Sequence, residues 1–118
     1  MIRLAGIILA ALPLPAAAQS IACAFTIVCA PEIECERHEG IPFEIAESGG
    51  EYAVEIDGEE VSGTVLSPAP ALSLVFVSGN ETLLFTLGSG GDGALSRHRA
   101  GPGDRLSVAT FLGPCVTA

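Results

Sequence analysis

Residues 71–88, ALSLVFVSGNETLLFTLG, decide the fold. Two runs rich in Leu, Val and Phe flank Gly79-Asn80, and a glycine in the first central position suits a two-residue type II′ turn. Setting Ser78 opposite Glu81 pairs Phe76 with Leu83, Leu74 with Phe85 and Leu72 with Leu87. Side chains alternate across a strand, so these six share one face. The other face carries Ser73–Thr86, Val75–Leu84 and Val77–Thr82 and is itself half apolar. A hairpin of this character belongs at the centre of a sheet, with strands on both sides.

Those strands can be read on either side of it. Residues 51–66 form a second hairpin in which Tyr52, Val54 and Ile56 face inward. A two-residue turn at Asp57-Gly58 would set Glu55 against Glu60, a like-charge pair that costs stability. A four-residue loop from Asp57 to Glu60, pairing Ile56 with Val61 and Tyr52 with Val65, is therefore preferred. Earlier, Ile21 to Cys29 alternates as a strand. Glu32, Glu34 and Glu36 flank Ile33 and Cys35 in a short acidic strand, His38 to Pro42 reads as a loop, and Phe43 and Ile45 start another short strand. Later, Gly88 to Gly93 forms a flexible turn. Ala94 to Arg99 follows as an edge strand of poor apolar alternation, and Leu106, Val108 and Thr110 mark the last strand. No mature stretch has capped helical periodicity. The expected fold is all-β: a small antiparallel sandwich or barrel of about 7–8 strands.

The first 18 residues read as a cleaved signal peptide: Arg3, an apolar run from Leu4 to Leu12, then Ala16-Ala17-Ala18 as the small-residue cleavage site. The apolar run falls short of the roughly 20 residues a membrane span needs. One mature domain, residues 19–118, and a periplasmic or secreted location are expected, with no stable membrane insertion. The formal net charge is −9, with no Lys, and loss of Arg3 would make it −10. Such a field repels phosphate and argues against a nucleic-acid partner; a basic protein is the expected partner.

Four cysteines in a small exported chain imply two disulfides. A continuous strand would hold Cys23 and Cys29 roughly 20 Å apart, whereas a disulfide needs less than about 7 Å. The preferred pairs are Cys29–Cys35 and Cys23–Cys115, with Cys23–Cys35 plus Cys29–Cys115 as the other possibility. No C-x-x-C pair or calcium loop occurs, and no metal or cofactor is expected.

Chemistry-bearing residues are few. Eleven of the 14 carboxylates lie between Glu32 and Glu60, a face for a basic partner or simply for solvent. His38 lies among Glu36 and Glu39, and His98 lies between Arg97 and Arg99. There is no G-x-S-x-G elbow, and the glycine-rich Gly88–Gly93 is followed by a strand rather than the helix a phosphate loop needs. No catalytic residues and no enzymatic activity are expected.

The tail Phe111-Leu112-Gly113-Pro114-Cys115, with the N-terminal cysteine cluster, resembles that of uncharacterised small exported bacterial β proteins, which implies no activity. The segment Gly88-Ser89-Gly90-Gly91-Asp92-Gly93-Ala94 with Cys115 is similar in placement to the Ser/Gly-rich loop and terminal Cys of periplasmic c-type lysozyme inhibitors. Those are disulfide-tied antiparallel barrels; the Tyr that follows their Ser-x-Gly segment has no counterpart here. The resemblance implies Ser89 as a loop contact and Arg97 as a contact to a partner's carboxylate. The expected function is that of an exported non-enzymatic β-domain acting through its surface, or, more narrowly, an inhibitor of a basic cell-wall hydrolase.

Overall fold

The computed structural model describes residues 19–118; the expected signal peptide, residues 1–18, lies outside the described residues. Eight strands follow in order: β1 Gln19–Ala30, β2 Ile33–Ser48, β3 Glu51–Ile56, β4 Glu59–Ser67, β5 Leu72–Ser78, β6 Glu81–Leu87, β7 Asp92–Ala100 and β8 Leu106–Thr117. Each pairs antiparallel with the next, and β8 returns to β1, so the sheet closes into an up-and-down barrel. Closure resolves the sandwich-or-barrel alternative.

The β5–β6 hairpin takes the expected register from Leu72↔Leu87 to Ser78↔Glu81. Gly79 sits at φ 57°, as the first position of a type II′ turn requires. Leu72, Leu74, Phe76, Leu83 and Phe85 are all buried, joined by Ile21, Phe25, Ile45, Val54, Ile56 and Leu95 from the other strands. Opposite Phe76 stands Gly63 of β4. A Cβ there would collide with the Phe76 ring, so this glycine leaves room for the ring beside it on the neighbouring strand.

Both disulfides form as preferred. Cys23 lies directly opposite Cys115 across β1 and β8, with Cα atoms 4.0 Å apart, and so locks the closing seam. Cys29–Cys35 staples the end of the β1–β2 hairpin. Two intramolecular disulfides are consistent with an oxidising environment.

Three local expectations are corrected. The β3–β4 hairpin turns through two residues, Asp57 (φ 51°) and Gly58 (φ 82°), and sets Glu55 opposite Glu60. The left-handed pair of a type I′ turn matches the strand twist. Both carboxylates are exposed, and water screens much of their repulsion. Residues 38–42 are not a loop: β2 runs without a break through them, and the bulge between Arg37 and Ile41, with Gly40 at φ 144°, absorbs the extra residues. The strand at Ala94–Arg99 is not an edge either. It bonds to β6 and β8 along its length, and its apolar alternation is poor because Arg97 and Arg99 occupy inward positions.

Candidate functional site

The barrel wall is uneven. The β7–β8 ladder runs from Asp92↔Pro114 to Ala100↔Leu106, whereas the β2–β3 ladder holds only Ala46↔Ala53, Glu47↔Tyr52 and Ser48↔Glu51. Beyond Ala46 the two strands part, and a cavity of 240 Å³ opens beneath the split. Ile41 and Phe43 wall it on the β2 side and Ile56 on the β3 side, with Phe25, Leu83, Leu95 and Phe111 behind them. The aromatic rings touch in sequence: Phe25 lies 5.8 Å from both Phe43 and Phe111, and Phe43 lies 6.0 Å from Phe85. Glu55, Asp57 and Pro42 form the rim.

Glu81 and Arg97 complete the lining. Glu81 is only 5% exposed, on the inward face of β6. Arg97 Nε lies 2.6 Å from Glu81 Oε2, and Arg99 donates from Nε (3.2 Å) and Nη2 (2.6 Å) to Oε1. Burial on its own would raise the Glu81 pKa. The hydrogen bonds from Arg99 and Arg97, with their positive charges, outweigh it and hold the carboxyl below its ordinary value. Arg99 is correspondingly raised, first by its hydrogen bond to Glu81. The cluster satisfies a buried carboxylate; among the described residues no buried side-chain nitrogen or oxygen lacks a partner.

Arg97 therefore lines the cavity with its guanidinium already engaged. Ser89 is exposed in the β6–β7 turn. From the last β6–β7 pair, Leu87↔Gly93, to Leu83↔Arg97 is four residues, or about 13 Å of strand. Ser89 thus belongs to one end of the barrel and Arg97 to the cavity nearer the other, and the fold does not bring them together. The histidines are also apart. His38 lies on β2, 3.8 Å from Glu36, and His98 is exposed on β7 opposite Thr82 and Val108. Among the described residues no three His, Cys, Asp or Glu side chains gather as a metal site, and no helix is long and apolar enough to cross a membrane.

The split and the Glu81 cluster were not anticipated from sequence. Glu81 carried a signal: the hairpin register places it on the same face as Leu83 and Phe85, and Arg97 and Arg99, two residues apart, share a face of the next strand. The split carried almost none, since Ile41, Phe43 and Ile56 have the alternation of any paired strand.

A closed eight-stranded antiparallel barrel, tied by two disulfides and opened at one seam over an aromatic-lined cavity, is the class of structure this chain defines. It matches no family model, no curated protein and no solved structure.

Proposed function

We propose that this chain is an exported, periplasmic or secreted, non-enzymatic binding protein whose acidic surface engages a basic protein. The observation that supports this most is the distribution of charge over the barrel. Glu34, Glu36, Glu39 and Glu44 on β2, with Glu55 on β3 and Glu60 on β4, are all exposed. They cover adjoining strands, while Arg97 and Arg99 are drawn inward to Glu81. A one-sided field of this kind raises the rate of encounter with a cationic partner and deters anionic ones.

The narrower form of the reading is an inhibitor of a basic cell-wall hydrolase such as c-type lysozyme. Support comes from the disulfide-tied barrel, the arrangement expected from the resemblance, together with the acidic charge. Calorimetric titration against c-type lysozyme at low salt and at ~0.3 M salt, with a cell-wall lysis assay in parallel, tests both forms. Salt-sensitive binding with inhibition is the result expected of an inhibitor. Salt-sensitive binding without inhibition keeps the broader reading and ends the narrower one. No binding at ~100 μM protein in low salt, a ΔG weaker than about −5.5 kcal/mol, overturns both.

A further inference from the structure

We infer that the split between β2 and β3 accepts an extended, basic segment of a partner protein as an added strand, one apolar side chain of which seats in the cavity beneath. The inference rests on the binding-protein reading above and gives it a site.

The backbone phase sets up the acceptor. Ser20 and Ala118 exchange two backbone hydrogen bonds of 3.0 Å, so Ser20 forms a hydrogen-bonded pair with the end of β8. Bonding direction alternates residue by residue along an antiparallel strand. Ile21 and Cys23 therefore turn their N–H and C=O groups to β2, where they meet Ile45 and Phe43. That leaves the backbone groups of Pro42, Glu44 and Ala46 facing β3. Ala46 is matched by Ala53, but the ladder ends there. On β3, Ile56↔Glu59 closes the two-residue turn, so Ile56 and Val54 bond to β4 while Ala53 and Glu55 face β2. Glu44 and Glu55 thus aim their backbone donors and acceptors into the split. An added strand gains its main-chain bonds from such an edge and its specificity from pockets that take alternate side chains.

The cavity supplies that pocket. Its 240 Å³ exceeds the ~150 Å³ of an apolar cavity that holds benzene, and its walls are Phe43, Phe25, Phe111 and Ile56. The rim supplies the charge preference. Glu55 and Asp57 border the opening, and Glu34, Glu36, Glu39 and Glu44 are exposed along the stretch of β2 that β3 leaves unpaired, with Arg37 the one Arg or Lys of that strand. Pro42 and the carboxylates are devices that deter random strand pairing; here they also discriminate, because a strand with Lys or Arg at its outward positions relieves the repulsion. A second copy of this acidic chain would add to it.

The test uses the heptapeptide acetyl-Lys-Val-Lys-Leu-Lys-Val-Lys-amide, whose Leu would enter the cavity. Titration and amide exchange by NMR should show saturable binding with new protection at Glu44 and Glu55. Replacing both, Glu44→Lys with Glu55→Lys, should weaken binding at least tenfold. So should Ile41→Trp, which fills the cavity mouth from a half-buried position. Methylating the peptide nitrogens that face β2 should abolish binding, and this arm leaves the protein unaltered. Equal affinity for the methylated peptide, or binding without protection at Glu44 and Glu55, overturns strand addition. Failure of the peptide to bind where lysozyme binds overturns the inference alone and leaves the broader reading standing. A concentration-dependent dimer that excludes the peptide shows the split to be a self-association edge and overturns it as well.

Discussion

Glu81 and Arg99 stand directly opposite each other on β6 and β7, and the carboxylate takes both hydrogen bonds from that arginine on one oxygen while Arg97 takes the other. The inward face of the barrel thus changes from Leu83 and Phe85 to an ion-paired cluster within one strand step. Removing the carboxylate leaves Arg97 and Arg99, neighbours on one face of β7, without the buried partner they share.

Glu81→Ala is expected to destabilise the barrel by about 1–3 kcal/mol. This lies below the full cost of breaking a buried pair because Arg97 and Arg99 are 40% exposed. The pH dependence has a definite sign. The folded-state pKa lies below the ordinary 4.5, so the contribution is full above that value and is lost as pH falls through the lower folded-state value. The stability difference between the native chain and Glu81→Gln, read from urea melts, should be constant at neutral pH and shrink below pH 4.5.

Glycine positions should rank by what their missing Cβ would strike. At Gly113 it would meet backbone: the Ala24 carbonyl oxygen, and the Phe25 Cα at 2.7 Å. This is where β1 carries one residue more than β8 between Cys23↔Cys115 and Ile27↔Leu112. At Gly63 it would meet the Phe76 ring. Gly63→Ala should cost about 1–3 kcal/mol by overpacking. Gly113→Ala should cost more, because backbone cannot rotate away. Denaturation midpoints of the two variants check the order.

The disulfides should differ in worth. Cys23–Cys115 closes a loop 92 residues in sequence separation, and Cys29–Cys35 one of 6. In the chain-entropy account the first contributes about 4–5 kcal/mol and the second about 2. Paired Ser replacements should therefore leave the barrel folded without Cys29–Cys35 and much weakened without Cys23–Cys115, as circular dichroism melts would show.

Glu60→Lys tests the register of the β3–β4 hairpin. With Glu55 opposite Glu60, the change replaces repulsion by attraction and should stabilise by about 0.2–1 kcal/mol. Had the turn been four residues long, Glu60 would lie in the loop and the substitution would be neutral.

The parts of the fold legible in sequence were those fixed by local pattern. Gly79-Asn80 set the β5–β6 register to the residue, and strand geometry ruled out Cys23–Cys29. The β3–β4 turn departs from the four-residue expectation because an exposed like-charge pair costs little in water, where the backbone preference of Asp57-Gly58 prevails. Residues 38–42 depart from the loop expectation because Gly40 and Pro42 signal a loop only in isolation. In the barrel, Gly40 serves a bulge, and Pro42 turns its missing donor to the unpaired side of β2. The candidate site was legible only in its charges, since a split between strands depends on where a ladder stops and not on the residues that alternate through it.

The open split between β2 and β3 is the most direct point of attack. Native-state amide exchange of the free protein should find the Glu44 and Glu55 amides exchanging at rates typical of exposed backbone, while those of Phe43, Ile45, Ala46 and Ala53 exchange orders of magnitude more slowly. Protection of Glu44 and Glu55 equal to that of Ala46 and Ala53 would show the seam closed in solution and contradict the account.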